Sequence, residues 1–437
     1  MTLLADIAGW IGPDPLRAVQ TTPHGLRECP GCGLFQTVPA LAPHTTARCP
    51  RCNTLLRSTG SDPTTSALAF NLAALVLLGV SCTTTLMTVS TVGMVRTAGL
   101  FSGPEGLRGH GLWELALIVL FTTVAAPVLK LGATVYVLAG LRMPVPPRHL
   151  REVFAWLERL RPWSMIEVYL LGVAVAYTKL IALVHIDIGT ALFALGGLLV
   201  TMIAADAALD PQGVWEEIDR VSPPPSDLHG AAVPVSQPTA GAIGCRTCGL
   251  VSLSPVSGVG ECRRCGSHLH AREPDSIGHT WALTAAALIL YVPANYFPVL
   301  TVVQLGAGAP STILGGVVEL FDAGMYPLAA LVFFASVAVP VLKLISMITL
   351  LVSTQLGYTD RRRDRAVLYR IVNTVGRWSM IDVFMISILV ALVQFGAAVT
   401  IDPGIGGVAF ALVVITTMFA AEGFDPRLMW DAAGANR

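Results

Sequence analysis

Eight of the nine cysteines fall into pairs with two residues between them: Cys29/Cys32, Cys49/Cys52, Cys245/Cys248 and Cys262/Cys265. The spacing is C-x2-C-x16-C-x2-C in the first set and C-x2-C-x13-C-x2-C in the second. Two knuckles of this kind on facing hairpins bring four thiolates around a tetrahedral metal at about 2.3 Å. Gly33, Gly249 and Gly266 follow their cysteines, where a tight knuckle needs a permissive backbone. Zinc, two ions per chain, is the first choice, and iron in a rubredoxin-like site is the runner-up. A redox dithiol would need only one such pair, whereas four cysteines with no position left for water describe a closed, structural site. A ribbon of under about 40 residues has too little core to fold without such a staple. Cys82 has no partner and reads as a small apolar packing residue.

A second group of residues carries charge where charge is expensive. Lys130 and Lys343 sit about ten residues inside long apolar runs. A lysine at that depth costs about 3 kcal/mol on insertion scales and needs a partner. Glu167 and Asp382 begin the next apolar runs and are within reach of a long side chain. Thr201 and Thr417 offer hydroxyls from the run after that. One polar node per half is expected: either an ion pair locking the bundle or a proton- or substrate-coupled site. Lys179 stands where the second half has Gln394, so Lys343, Asp382 and Thr417 form the cleaner set if only one node is active. Pro127 and Pro340, three residues before the lysines, remove a helix hydrogen bond there.

The elements that must position these residues are membrane helices. Of 437 residues, 54% are hydrophobic and only 13% charged, about half the roughly 25% of a soluble domain. Mean hydropathy is +0.66. This excludes a soluble enzyme and a disordered chain. Twenty-eight basic and 28 acidic residues cancel, so no global field points to nucleic acid. Residues 1–20 lack the basic start of a signal peptide. Eight spans of about 20 residues are predicted near 66–89, 115–140, 165–186, 188–205, 281–300, 323–352, 380–400 and 404–421. The third and fourth spans of each half are almost continuous and must fold back near Asp187 and Asp402. Arginines cluster in the loops at 142–161 and 361–377, which the positive-inside rule places in the cytoplasm together with both termini and both ribbons. Leu150, Val153, Phe154, Leu157 and Leu160 form one stripe, expected to lie along the interface.

The chain is duplicated. Pro127-Val-Leu-Lys130 recurs as Pro340-Val-Leu-Lys343, and Trp163-Ser-Met-Ile-Glu167 as Trp378-Ser-Met-Ile-Asp382. Thr201-Met-Ile-Ala-Ala-Asp206 recurs as Thr417-Met-Phe-Ala-Ala-Glu422. The expected architecture is an all-α polytopic membrane protein of two parallel four-helix repeats, each preceded by a cytoplasmic four-cysteine zinc ribbon. The units are 1–62 (first ribbon), 63–210 (first module), 211–272 (linker and second ribbon) and 273–437 (second module). Residues 211–242, rich in Pro, Ser and Gly, read as a flexible tether.

Two ribbons, two helical modules and the repeated PVLK and WSMI[DE]V motifs together resemble the paraquat-inducible protein A family over nearly the whole chain. The resemblance implies a bacterial inner-membrane protein, partnered by a periplasmic MCE-domain protein, that moves phospholipid between the inner and outer membranes. It also implies that Lys343, Asp382 and Thr417 belong to a functional polar network. The competing reading is a membrane-embedded metal or redox sensor. No H-E-x-x-H, P-loop or G-x-S-x-G motif supports an enzyme. Elemental analysis of the purified protein should give about two zinc atoms per chain, one for each closed four-thiolate set. A ratio near zero with the cysteines oxidised to disulfides would exclude the ribbons as metal sites.

Overall fold

The computed structural model describes residues 25–39, 41–60, 64–91, 94–181, 185–222, 242–253, 260–304, 307–393 and 399–431. The first ribbon is two hairpins, β1 (Leu26–Glu28) with β2 (Phe35–Thr37) and β3 (Thr46–Arg48) with β4 (Leu55–Ser58). Each hairpin carries one knuckle. Gly33, Gly249 and Gly266 have φ of 68 to 70°, the left-handed conformation their positions require, and Asn53 takes it at the fourth knuckle with φ 61°.

Helix α1 (Thr65–Thr83) follows the ribbon, and its 19 residues rise about 28 Å. It delivers the chain to β5 (Met87–Thr91) and β6 (Met94–Ala98), so ribbon and strands lie at opposite ends of the span. After the short α2 (Ser102–Gly109), the second span is α3 (Trp113–Leu120), a π-helical turn at Phe121–Ala125 and α4 (Ala126–Gly140). The amphipathic α5 (Leu150–Leu160) buries Leu150, Phe154, Leu157 and Leu160, the stripe expected from the sequence. Then come α6 (Ile166–Leu180), β7 (His185–Ile188), α7 (Thr190–Ala208) and α8 (Pro211–Val221).

The second half repeats this order. Strands β8 (Ala242–Gly244), β9 (Val251–Leu253), β10 (Gly260–Glu261) and β11 (His268–Leu269) make the second ribbon. Helix α9 (Ser276–Tyr296) leads to β12 (Leu300–Gln304) and β13 (Ala307–Ser311), then α10 (Ile313–Asp322). The next span is α11 (Tyr326–Phe333), a π turn at Phe334–Ala338 and α12 (Val339–Gln355). It is followed by α13 (Arg362–Val375), α14 (Ile381–Leu392), β14 (Val399–Pro403), α15 (Ile405–Gly423) and α16 (Leu428–Asp431).

Seven helices among the described residues are long and apolar enough to cross a membrane. The third predicted span, α6, is not among them, with only 15 residues, and α14 of the seventh has 12 and counts only together with α13. The sequence reading carried the first and fifth spans too far, to 89 and 300, and the third and seventh to 186 and 400. Those ends are strands. In each half the middle strand pairs antiparallel with the hairpin that follows the first span and with the strand that follows the third: β6-β5-β7 and β13-β12-β14. A short apolar run has no periodicity that separates buried strand from helix, so the boundary was invisible in sequence. The fold-back points are as expected, with Asp187 in β7 and Asp402 in β14.

The halves meet through α6 and α14. Tyr169 and Phe384 stack edge to face at 5.6 Å, and Gly172 leaves room for Phe384. Every residue of α14 except Ala391 is buried. Pro127 and Pro340 sit just after the two π turns, so the missing N–H falls where the ladder is already opened.

Part of the expected tether is ordered. Asp210 caps α8 by accepting the Gln212 N–H, and Val214, Trp215 and Ile218 are buried in one stripe. Residues 223–241 of that tether lie outside the described residues, as does Gln394. At the C-terminal end Arg427 donates to both oxygens of Asp425 and to Glu28 of the first ribbon, at 2.8 to 3.2 Å. Burial would raise the Asp425 carboxyl, but the hydrogen bonds and charge of Arg427 outweigh it and hold the group below its usual value. A carboxyl depressed by folding stabilises the folded state above its unfolded pKa, and that contribution is lost as pH falls through the folded value. The melting temperature of the purified protein should therefore drop as the buffer is taken below the ordinary carboxylate range. Asp425→Asn should lower it at neutral pH and flatten the acid limb.

Candidate functional site

Each cysteine set converges. Sulfur pairs Cys29–Cys52 and Cys32–Cys49 lie at 3.4 and 3.6 Å, and Cys245–Cys265 and Cys248–Cys262 at 3.5 and 3.4 Å. All four sulfurs of a set fall within 4.8 Å of one another. A disulfide would need about 2.05 Å, and a tetrahedral four-sulfur site has edges of about 3.8 Å. The residues present fit a closed metal centre in each ribbon.

The intramembrane residues are arranged around two cavities. The first, about 680 Å³, lies between the halves at the ribbon end and is lined from both repeats. On the first-half side, Lys130 Nζ donates to Asp206 Oδ2 at 2.8 Å. Arg161 approaches the other Asp206 oxygen at 3.8 Å and donates to Glu158 at 3.3 Å. Burial raises the Glu158 carboxyl above its usual range, against the pull of Arg161. Glu167 lines the same cavity but is not the salt-bridge partner of Lys130. This corrects the expected pairing: the counter-charge comes from α7, not from the start of α6.

On the second-half side, Lys343 lines the cavity at 3% exposure, and its Nζ has no hydrogen-bond partner among the described residues. The carboxylate whose charge bears on it is Glu422, the repeat counterpart of Asp206. Arg161 has Gly376 as its counterpart, and a Cβ there would lie 2.6 Å from Lys343 Nζ. The missing side chain makes the bed in which the amine rests.

Asp382 is buried and lines the second cavity instead. That cavity, about 300 Å³, lies between α10, the second span and α14 and reaches the β12–β13 sheet end. Its walls are mostly apolar, among them Leu320, Val332, Met385, Leu389 and Phe410. Ser336, in the π turn, also lines it, and its buried hydroxyl has no hydrogen-bond partner among the described residues. Lys343 and Asp382 thus line two different cavities, one toward each end of the membrane module. The two threonines do not join the nodes: Thr201 donates to the Gly197 and Leu198 carbonyls and Thr417 to that of Val414.

Sequence reasoning passed over Asp206, Glu422 and Gly376 as site residues. The first two were in view as the last residue of a repeated motif. Nothing local distinguished Gly376 from any other glycine.

A duplicated multi-pass membrane protein with paired four-cysteine ribbons and charged residues in its helical core is a class narrow enough to compare. The family model for Paraquat-inducible protein A matches residues 64–219 and 277–434, and the chain belongs to that family. It is 33% identical to the Intermembrane transport protein PqiA of Escherichia coli K12 over 404 residues, covering 92% of this chain and 95% of that protein. It is 29% identical to the Lipophilic envelope-spanning tunnel protein A of the same organism, covering 93% and 91%. A Probable intermembrane transport protein of Haemophilus influenzae is 26% identical, with 95% and 98% covered. No solved structure matches.

Lys130→Met strands Asp206, but that carboxylate is 47% exposed, so the cost should stay below the roughly 3–5 kcal/mol of a fully buried broken pair. Lys130→Met with Asp206→Leu should recover most of the lost melting temperature in detergent. A double variant less stable than the single would show that the pair does more than neutralise charge.

Proposed function

We propose that the protein is a component of a bacterial lipid-transport system in the inner membrane. It moves phospholipid between inner and outer membranes together with a periplasmic MCE-domain protein, and it is not an enzyme. Both ribbons, each holding one zinc, and both termini face the cytoplasm, which puts the strand sheets on the periplasmic side. The names of the relatives support transport between membranes, and the arginine-rich loops support the orientation.

One observation carries the assignment of the working half. The first-half amine is neutralised by a direct ion pair, whereas the second-half amine is buried with no hydrogen-bond partner among the described residues, and Asp382 of the same half lines a separate, largely apolar cavity. Intramembrane ionisable groups held without a local bond serve transport pathways and relays more often than structure. In this reading the apolar cavity receives acyl chains, and Lys343 and Asp382, one lining each cavity, are the polar groups that couple the two. Lys130 and Asp206 hold the first half rigid. A metal or redox sensor is the second reading, supported by the contact of the ribbons with helices that line the cavity between the halves.

Growth under membrane-damaging detergent separates them. Lys343→Met and Asp382→Asn should each abolish protection at near-normal protein levels, while Lys130→Met is milder. Gly376→Ala, which displaces only the flexible end of Lys343, should impair protection without lowering abundance. Gly132→Ala, in open space, should be silent. Tolerance of the Lys343 change with loss of function on Cys29→Ser would favour the sensor. Restored abundance and function in Lys343→Met with Asp382→Leu would make the node structural.

A further inference from the structure

Each ribbon reaches across to the opposite half, and the first also keeps a tie to its own, where Arg57 of β4 donates to Asp210 and Glu216 at 2.8 to 3.2 Å. The first ribbon precedes α1, yet its four cysteines pack with Ala366 of α13 and with Trp430, both in the second half. Arg370 of α13 donates to the Cys52 carbonyl and to Thr54 Oγ1, each at 3.1 Å. The guanidinium of Arg51 lies 4.4 Å over the Trp430 ring. The second ribbon precedes α9, yet Cys245, Cys248 and Cys262 share a core with Phe154 of α5 and Trp215 of α8, both in the first half. Arg159 of α5 donates to Ser267 Oγ at 2.8 Å, and Arg151 to the Arg264 carbonyl at 3.1 Å. The acceptors correspond, since Thr54 and Ser267 each stand two residues past the last cysteine of their set, while the two arginines come from different positions of their helices.

The crossing is locked at its centre. Glu28, next to Cys29, accepts the Gly244 N–H at 2.8 Å, next to Cys245. It also accepts Arg272 and Arg427, at 3.2 and 2.9 Å. The helices on which the ribbons dock are those that wall the ribbon-end cavity: Arg159 of α5 and Tyr369 of α13 both line it. Moving either helix changes that cavity.

We infer that the ribbons form a crossed, metal-set clamp. Metal in the first ribbon fixes α13 of the second half, metal in the second fixes α5 of the first, and the cavity between those helices keeps its shape only when both ribbons are loaded. A structural ribbon serving only its own half would need no such crossing. The clamp acts on the cavity whatever cargo the protein carries, so it stands apart from the transport reading. It also gives the ribbons a regulatory consequence: loss of metal loosens the side of the cavity contributed by the other half.

Amide hydrogen exchange read by mass spectrometry on the full-length protein in nanodiscs tests this. Cys49→Ser should speed exchange in α13 and the C-terminal segment by about tenfold or more and leave α5 unchanged. Cys262→Ser should do the reverse, loosening α5 and α8 and sparing α13. Arg370→Ala and Arg159→Ala cut the docking contacts and spare the thiolates. They should keep about two metal ions per chain by elemental analysis and still reproduce the two crossed patterns, and they decide the matter if a cysteine variant does not fold. The inference is overturned if each ribbon change loosens only the helix that follows it in sequence, α1 or α9, or if the arginine variants leave α5 and α13 exchange unaltered.

Discussion

An amine inside a hydrocarbon slab must be met by a counter-charge or held where water can reach it, and the rest of this structure is arranged around two such amines. Neither lysine could be placed on a lipid-facing surface at a cost the fold would bear. Both therefore face inward, toward the seam between the repeats, and the seam widens into a cavity at their level. The carboxylates that answer them come from the last span of each half, Asp206 and Glu422. That choice requires the first, second and fourth spans to pack closely, and it leaves the short third helices, α6 and α14, to join the halves.

Two nearly equal repeats perform unequal work because a few side chains differ. Arg161 adds a second cation beside Asp206, whereas its counterpart Gly376 leaves an empty place that the Lys343 amine fills. At the other end, Gly103 and Gly106 let α2 lie against Ser387 and Val390 of α14. The residue that corresponds to Gly106 is Glu319, and beside α10 a cavity stands open. One half is thus filled and neutralised, and the other is hollow and charged. Duplication supplied the scaffold, and loss or gain of single side chains made the two halves unequal.

The ribbons follow from a different constraint. A hairpin pair of this size cannot bury enough apolar surface to hold itself, so its stability is bought by metal and by docking. Docking across the repeat, in addition to the Arg57 tie of the first ribbon to its own half, makes the four-cysteine sites part of the joint between the halves. Glu28, Arg427 and Asp425 then bury charge at the crossing, where each group is satisfied by the others.

The sequence by itself determined everything that depends on spacing along the chain. Ligand sets a few residues apart, apolar runs of membrane length, the duplication and the interfacial stripe of α5 are encoded locally, and the structure has them where the residues place them. Local spacing also misled. The ends of the spans at 89, 186, 300 and 400 are apolar and read as helix, but strand pairing with a partner about a hundred residues away claims them. The polar start of the expected tether is helix α8, because Trp215 and Ile218 have a ribbon to cover. Tertiary structure alone decided which carboxylate meets which lysine, that Gly376 sits against the Lys343 amine, and that each ribbon also docks on the opposite half. These are contacts between surfaces far apart in sequence, and no periodicity along one segment records which distant surface will pack against it.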